Sequence, residues 1–234
     1  ETVRKSGLDE AISAALVTWR KPRAVHDPGK ILLDVALAVA LGGDCLADVA
    51  MLRAEPAVFG SVASDPTVSR LIDTLAAAGP KGLNAFRSAR SEVRELVWKL
   101  AGTSAPDTGD QVIVDLDGVL VLAHSEKRAR AEDRIRAARA TGLRNLPLHD
   151  TAQNQIWLEI VQLALDLLAW LPMLALTGRP RLWEPRRLRL RLFSAAAQLV
   201  TTARRRHLRF ARHWPWTDVI TDAIQRLDAL PNPG

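Results

Sequence analysis

Residues 112–122 have the sequence Val-Ile-Val-Asp-Leu-Asp-Gly-Val-Leu-Val-Leu, an apolar run that carries two carboxylates. Short apolar runs rich in β-branched residues predict a buried strand. Asp117 comes near the end of this strand, directly before a glycine, and carboxylate oxygens are ligands that Mg²⁺ prefers. The run therefore predicts either a strand that ends on a metal site or, more plainly, polar residues that close a strand.

A helix rich in arginine follows this strand after only a few residues. Residues 128–139 have the sequence Arg-Ala-Arg-Ala-Glu-Asp-Arg-Ile-Arg-Ala-Ala-Arg. Residues three and four apart share one face of a helix, so Glu132 is expected on the same face as Arg128, Arg136 and Arg139. Taken alone, this face predicts a solvated helix in which Glu132 pairs with Arg128 and Arg136. The same face would also allow Glu132 to ligate a metal while the arginines on either side contact phosphates.

The sequence on both sides of the strand predicts helices, so we expect a mainly α protein with a small β component. Gly42-Gly43 closes one helix, and Ser64-Asp65-Pro66 starts another with Asp65 as its N-cap. The polar stretch 101–110 is the best boundary, and it separates an N-terminal region, 1–105, from a C-terminal region, 106–234. Helices are predicted over residues 30–41, 45–54, 67–78, 83–100, 151–176, 186–200 and 216–230.

Charge is distributed unequally along the chain. Residues 1–117 contain 13 basic and 16 acidic side chains, whereas residues 118–234 contain 19 basic and 10 acidic ones. Residues 179–212 alone hold eleven arginines and one acid. Such an excess predicts contact with a polyanion. Candidate phosphate ligands are Arg186, Arg187, Arg189 and Arg191, although the exposed side of an ordinary helix would have the same composition.

The predicted helices at 45–54 and 67–78 form a pattern typical of a helix-turn-helix. Thr67, Ser69 and Arg70 would lie at the start of the second helix, where short polar side chains and an arginine can contact base edges. The connection over 56–64 is longer than the usual short turn. An ordinary capped helix in a bundle is the alternative interpretation.

Two further features bear on the environment of the protein. Cys45 is the single cysteine, which excludes an intramolecular disulfide and favours a reducing cytoplasm. The most apolar stretch, 156–176, contains Glu159, Asp166 and Pro172. These residues predict a buried helix and not a membrane span.

Together, the strand and the arginine-rich helix resemble catalytic segments of bacterial insertion-sequence DDE transposases. That family carries a Tyr-Arg-Glu-Lys signature on its last catalytic helix. Arg128, Glu132 and Arg139 stand in the Arg, Glu and Lys places with the same spacing, and Ser125 stands where the family has Tyr. Further stretches look like the actinobacterial transposases of DDE domain group 1: 37–69, 132–170, 183–193 and 214–216.

The resemblance implies an RNase H-like α/β catalytic fold, here a remnant, preceded by a helix-turn-helix-like region. Asp117 matches the first catalytic Asp and Glu132 the catalytic Glu, and both would ligate magnesium. No residue matches the second catalytic Asp. The resemblance therefore predicts an internal deletion between about Lys127 and Arg128, and a protein defective in catalysis.

The implied partner is double-stranded DNA at the terminal inverted repeats of the element. The family also implies a homodimer in the bacterial cytoplasm, associated with the nucleoid and not with a membrane. Two other functions stay open at this point. One is a non-catalytic DNA-binding regulator derived from a transposase. The other is a metal-dependent phosphatase that uses Asp115 and Asp117 of the Asp-Leu-Asp-Gly-Val motif.

Overall fold

The computed structural model describes residues 1–105, 135–202 and 205–233, and helices dominate these ranges. The carboxylate strand, Glu132 and Arg128 lie outside the described residues. The helices are α1 Thr2–Lys5, α2 Leu8–Ala15, α3 Pro28–Leu41, α4 Ala50–Arg53, α5 Pro56–Phe59, α6 Asp65–Ala77, α7 Pro80–Ala101, α8 Thr151–Ala175, α9 Pro185–Leu188 and α10 Thr217–Ala229. Short 3₁₀ turns at Val17–Trp19, Leu46–Val49, Gly102–Ser104 and Arg179–Leu182 join some of them.

The core helices α3 and α8 begin at local capping signals. The Asp27 carboxylate accepts a hydrogen bond from the Lys30 backbone N–H at the start of α3, with Pro28 as the first helical residue. Asp150 and Gln153 form a reciprocal capping box at the start of α8. These signals satisfy backbone N–H groups that would otherwise lack partners, so they fix where each helix starts.

Helix α8 is the centre of the hydrophobic core. It packs against α3, α6, α7 and α10. Its fully buried side chains include Trp157, Ile160 and Leu163. The helix is long and apolar enough to cross a membrane by length and composition alone, but more than half of its most apolar part is buried against the protein. It therefore has the surroundings predicted for a core helix.

An antiparallel hairpin follows the basic segment near the C-terminus. Strand β1, Ala197–Thr202, pairs with β2, Arg205–Phe210, so that Ala197 faces Phe210 across the ladder. The predicted helix over 186–200 is therefore wrong in its second half. Helical structure ends at Phe193. The β-branched run Val200-Thr201-Thr202 favours a strand, and pairing with the following strand β2 decides it.

The described residues confirm a mainly α protein with a small β component. The RNase H-like core and the helix-turn-helix stay predictions. Helices on both sides of the predicted boundary at 105/106, such as α3 and α8, share one hydrophobic core. The division into regions 1–105 and 106–234 also stays a prediction.

Candidate nucleic-acid interface

Helices α4 and α6 are held together by one arginine. Arg53 Nη2 donates to Asp65 Oδ1 at 2.6 Å and to the Ala63 carbonyl at 2.9 Å. Helix α6 begins at Asp65, with Ser64 in the N-cap position, one residue before the predicted cap. The Arg53–Asp65 pair therefore fixes the start of α6 relative to the preceding helices.

The first turns of α6 present polar side chains to solvent. Val68, Leu71 and the later apolar residues of the helix are buried in the core. Ser69 and Arg70 are exposed, and Thr67 is half-buried. Arg70 Nη2 donates to Thr67 Oγ1 at 3.1 Å, which leaves further N–H groups of Arg70 available to a ligand. The structure thus brings these three predicted residues together in the first turns of α6.

A surface cavity of about 420 Å³ adjoins this part of α6. Its basic lining residues are Lys21, His26 and Arg70, from two separate segments of the chain. The other lining residues are Trp19, Ala24, Val25, Pro28, Ile31, Thr67, Leu71 and Thr74, so no carboxylate is among them. A cavity with basic residues at its edge and no acid suits an anionic ligand. Sequence reasoning missed Lys21 and His26, although the run Arg-Lys-Pro-Arg at 20–23 is a signal for such a surface.

The predicted phosphate ligands of the C-terminal region fall into two groups. Arg186 and Arg187, in α9, are exposed, as are Arg136 and Arg139. Arg191 instead packs against two aromatic rings that contact each other edge to face. Its guanidinium carbon lies 4.6 Å from the Trp183 ring centre and 4.4 Å from that of Trp216. This arrangement uses Arg191 to join two segments by cation–π contacts.

Arg189 is directed into the protein and not toward solvent. Its Nε donates to the Ala40 carbonyl at 2.7 Å, and Nη2 donates to the Val39 carbonyl at 3.3 Å. The remaining bonds go to the Ala140 carbonyl and the Thr141 hydroxyl. Burial lowers the pKa of Arg189 from its ordinary value. The side chain thus satisfies carbonyls at the end of α3 and in the segment before α8.

Replacing Arg189 with alanine is expected to lower the free energy of unfolding by about 2 kcal/mol, because several carbonyls lose their donor. Urea denaturation followed by circular dichroism measures the change. The matched control is Arg186→Ala, which removes an exposed arginine from the same segment and should change stability by less than about 0.5 kcal/mol. Equal stability of the two variants would contradict the structural role of Arg189, and Arg189 would then stay a candidate phosphate ligand.

Comparison with known protein families decides the classification. The model of the family described as transposase DDE domain group 1 matches residues 1–129 and 125–232. The chain belongs to this transposase family. The match confirms the resemblance seen in the two motifs. No curated protein matches the chain, and no solved structure matches it.

DDE transposases use a divalent metal, and the candidate ligands Asp117 and Glu132 lie outside the described residues. As a donor set, two carboxylates suit one hard cation. In the sequence, no residue is matched to the second catalytic Asp, and on that prediction the two carboxylates fall short of the pair of ions that in-line phosphodiester chemistry uses. An incomplete two-metal site therefore stays a prediction from sequence.

Within the described residues, Asp44, Cys45 and Asp48 also lie close enough together to be considered as metal ligands. Their hydrogen bonds assign them a different role. The Asp48 carboxylate accepts from the backbone N–H groups of Asp44 and Cys45 at 2.8 and 3.0 Å. Burial, followed by the hydrogen bond to Asp48, raises the pKa of the Cys45 thiol, which favours the neutral form. The cluster caps the turn after α3, and a protonated thiol is a poor ligand for Mg²⁺.

The hydrogen bonds of Asp48 also change the structure of the segment 45–54, for which the sequence predicts a helix. Cys45 stands in its N-cap position, and a 3₁₀ turn at Leu46–Val49 precedes α4. Asp48 supplies the capping carboxylate from inside the turn. In this transposase the segment is therefore a 3₁₀ turn continued by a short α-helix, bent by 98° from α3, where the sequence predicts one α-helix.

Proposed function

We propose that this transposase binds double-stranded DNA at the terminal inverted repeats of its element and does not complete strand transfer. Its N-terminal region would recognise the repeat through Thr67, Ser69 and Arg70. Exposed arginines of the C-terminal region, namely Arg136, Arg139, Arg186 and Arg187, would hold the phosphate backbone, together with Arg128. Such contacts position a protein on DNA, whereas base contacts supply sequence preference.

The observation that carries this proposal is the form of the family match. It consists of two segments, and these meet at residues 125–129. The meeting point lies between Asp117 and Glu132, the two candidate catalytic carboxylates. It also includes the junction between Lys127 and Arg128 at which an internal deletion is expected. A lost segment at this place would remove the second catalytic Asp and leave both flanking parts recognisable.

The arrangement of α6 supports the DNA-binding half of the proposal. Its apolar face is buried, its first turns are exposed, and an ion pair with Arg53 holds its start. A rigid, outward-directed helix start with an arginine is suited to the major groove. The side chains there need little reorganisation on binding, which limits the entropy lost on association.

The catalytic half of the proposal rests on the donor set. When bound, a divalent ion would supply Lewis-acid stabilisation of the phosphodiester oxygens. Asp117 and Glu132 are the residues that would hold it. Because two carboxylates do not fit a pair of ions, we derive no cleavage step from them.

Binding is tested by fluorescence anisotropy with a duplex of the element's terminal repeat and a scrambled duplex, over a salt series. We expect tighter binding to the repeat at every salt concentration, because base contacts persist when phosphate contacts are screened. Arg70→Ala should reduce this preference, with a loss of about 1–3 kcal/mol on the repeat. Equal, steeply salt-dependent affinity for both duplexes would contradict end recognition.

Catalysis is tested with the same terminal duplex, a target plasmid and Mg²⁺. We expect no joined product from the purified protein, and Asp117→Ala should leave DNA affinity unchanged. A joined product that disappears in Asp117→Ala would contradict catalytic incompleteness. If neither protein yields product and both bind the repeat, the result agrees with the proposal and with a binding-only regulator derived from a transposase. The same experiment therefore separates a catalytically complete transposase from a protein that only binds the repeat.

The remaining functional proposals follow from the family. A homodimer would bring two element ends together, and the site of action would be nucleoid DNA in the bacterial cytoplasm. A phosphatase built on Asp115 and Asp117 is a weaker alternative, because the family match covers the chain on both sides of this motif.

A further inference from the structure

The segment of residues 20–26, here called the basic turn, contains a strained arginine. The Ala24 N–H donates to the Lys21 carbonyl at 3.0 Å, which closes a four-residue turn with Pro22 in the second position. Arg23, in the third position, has a φ of +63°. Proline followed by positive φ is the arrangement of a type II turn, in which glycine is strongly favoured at the third position.

Arg23 stands at a position where glycine would relieve strain. Positive φ is unfavourable for a long side chain, and such strain persists where the surroundings hold it in place. Within the described ranges 1–105, 135–202 and 205–233, the Arg23 side chain forms no hydrogen bond or ion pair that would explain why an arginine stands at this position. A strained, exposed arginine with no internal partner points to an external anionic one.

Both ends of the basic turn are fixed to the core. At one end, the Arg20 N–H donates to the Val17 carbonyl at 3.0 Å. At the other, Ser13 Oγ donates at 2.7 Å to the Asp27 carboxylate that caps α3. Gly29, two residues after Asp27, lies very close to α2, because a Cβ there would lie 2.6 Å from Ser13 Cα. The turn is therefore presented in a defined position.

The basic turn and α6 face the same space. Lys21 and His26 of the turn line the cavity of about 420 Å³ together with Thr67 and Arg70 of α6. Arg20, Lys21 and Arg23 are exposed, and none of them forms an ion pair with an acid in the part of the chain that the structure describes. An anion that contacts Arg70 in the cavity would thus lie beside Lys21 and His26. Arg23 does not line the cavity but lies two residues from Lys21 on the same exposed turn.

We propose that the basic turn contacts the sugar-phosphate backbone of the duplex whose bases α6 binds, with Arg23 as a phosphate ligand. The inference rests on the proposed DNA binding and adds a second contact element to it. Three arginine or lysine side chains in seven residues suit backbone phosphates, which carry no sequence information. Arg23 is expected to strengthen binding to any duplex, whereas Arg70 provides preference for the repeat.

The test compares the purified protein with Arg23→Gly, Arg23→Lys and Arg70→Ala. Fluorescence anisotropy over a salt series gives their affinities for the repeat and the scrambled duplex, and thermal denaturation gives the Tm. Lys99→Ala is the matched control, because it removes an exposed positive charge from α7, outside the cavity. Arg23→Gly should keep or raise the Tm, since glycine accepts positive φ. Arg23→Lys keeps both the charge and the strain.

Arg23→Gly is expected to weaken binding to both duplexes by about fivefold at ~0.15 M salt, the effect of one lost phosphate contact. The slope of log affinity against log salt should fall by about one. Arg23→Lys and Lys99→Ala should keep the original slope. If Arg23→Gly binds as tightly as the original protein while Arg70→Ala loses preference for the repeat, the inference is wrong and end binding stands. If the original protein binds neither duplex, or binds both equally, the proposed function is wrong, and the inference that rests on it is wrong as well.

Discussion

Replacing Arg90 with alanine is expected to lower the free energy of unfolding by about 3–5 kcal/mol, because two carboxylates would lose their main buried partner. Arg90, in α7, is only 7% exposed. Its Nε donates to Asp166 Oδ2 at 2.8 Å, and its Nη1 donates to Gln162 Oε1 at 2.5 Å. Nη1 also lies 3.4 Å from an oxygen of Glu159.

The expected loss of stability in Arg90→Ala is large because Arg90 is bound by the carboxylates of Glu159 and Asp166. Glu159, in α8, is 3% exposed. A charge in such a place is tolerated only when it is paired and hydrogen-bonded. Without Arg90, Glu159 would retain Arg87, whose Nε donates to it at 2.7 Å. Among the residues that the structure describes, Asp166 would retain only Arg94, at 3.7 Å. The network joins α7 to α8, so its loss weakens the contact between two long helices.

Urea denaturation of Arg90→Ala and Arg87→Ala gives the comparison. The Arg87 side chain is 60% exposed, so water can replace it, and its removal should lower stability by about 1 kcal/mol or less. If Arg90→Ala does not fold, a combined Arg90→Met, Glu159→Gln and Asp166→Asn variant should fold, because it leaves no buried charge unpaired. Equal stability of the Arg90 and Arg87 variants would contradict the importance of the buried network.

The starts and ends of the helices could be predicted from sequence where the signals are local. Asp150, three residues before Gln153, marks the start of α8, and Gly42 ends α3 in a left-handed conformation at a φ of +117°. These signals depend on residues within one helical turn. Glu159 and Asp166 were also interpreted correctly as signs of a core helix. Nothing local, however, indicates that Arg90 would be their partner, 69 and 76 residues earlier in the chain.

Contacts beyond one helical turn account for the features that sequence reasoning missed. The helix propensity of Arg and Leu over 186–192 favours a helix, and only pairing with Arg205–Phe210 shows that the chain forms a strand from Ala197. Arg189 belongs to the same arginine run as Arg186, yet its acceptors Val39 and Ala40 lie about 150 residues away. Composition therefore identifies a basic segment without showing which of its arginines serve the fold. The candidate catalytic residues, Asp117 and Glu132, lie outside the described residues and remain sequence predictions.

Trp157 is expected to be the second residue whose loss strongly destabilises the protein. Trp157→Ala should lower the free energy of unfolding by about 3–5 kcal/mol, the usual range for a large aromatic side chain removed from a core. The side chain is fully buried. Its Nε1 donates to the carbonyls of Gly142 and Asn145, at 3.2 and 3.1 Å. Its removal therefore creates a cavity and leaves polar groups of the neighbouring segment without a donor.

Gly142 packs against the Trp157 ring, so the loss of Trp157 should also affect the segment that contains Gly142. Gly142 has a φ of +76°, and a Cβ there would lie 3.0 Å from Val161 and 3.4 Å from the Trp157 ring. The backbone of residues 139–145 thus rests directly on the tryptophan. These residues follow Glu132 in sequence and also supply acceptors for Arg189. Trp157 should therefore fix the place where the chain that leads from the candidate catalytic helix joins the core.

The variants Trp157→Ala, Trp157→Phe and Trp98→Ala separate the loss of packing from the loss of the N–H donor. Urea denaturation measures their stability, and hydrogen exchange measures the opening of the segment 139–145. Trp157→Phe keeps most of the packing but removes the N–H donor, so it should lower stability by about 1–3 kcal/mol. Hydrogen exchange should then increase mainly at residues 139–145. Trp98→Ala is the control, because Trp98 is 43% exposed on α7 and its loss should change stability by less than about 1 kcal/mol. Unchanged exchange at 139–145 in Trp157→Phe would mean that Arg189, not Trp157, holds this segment to the core.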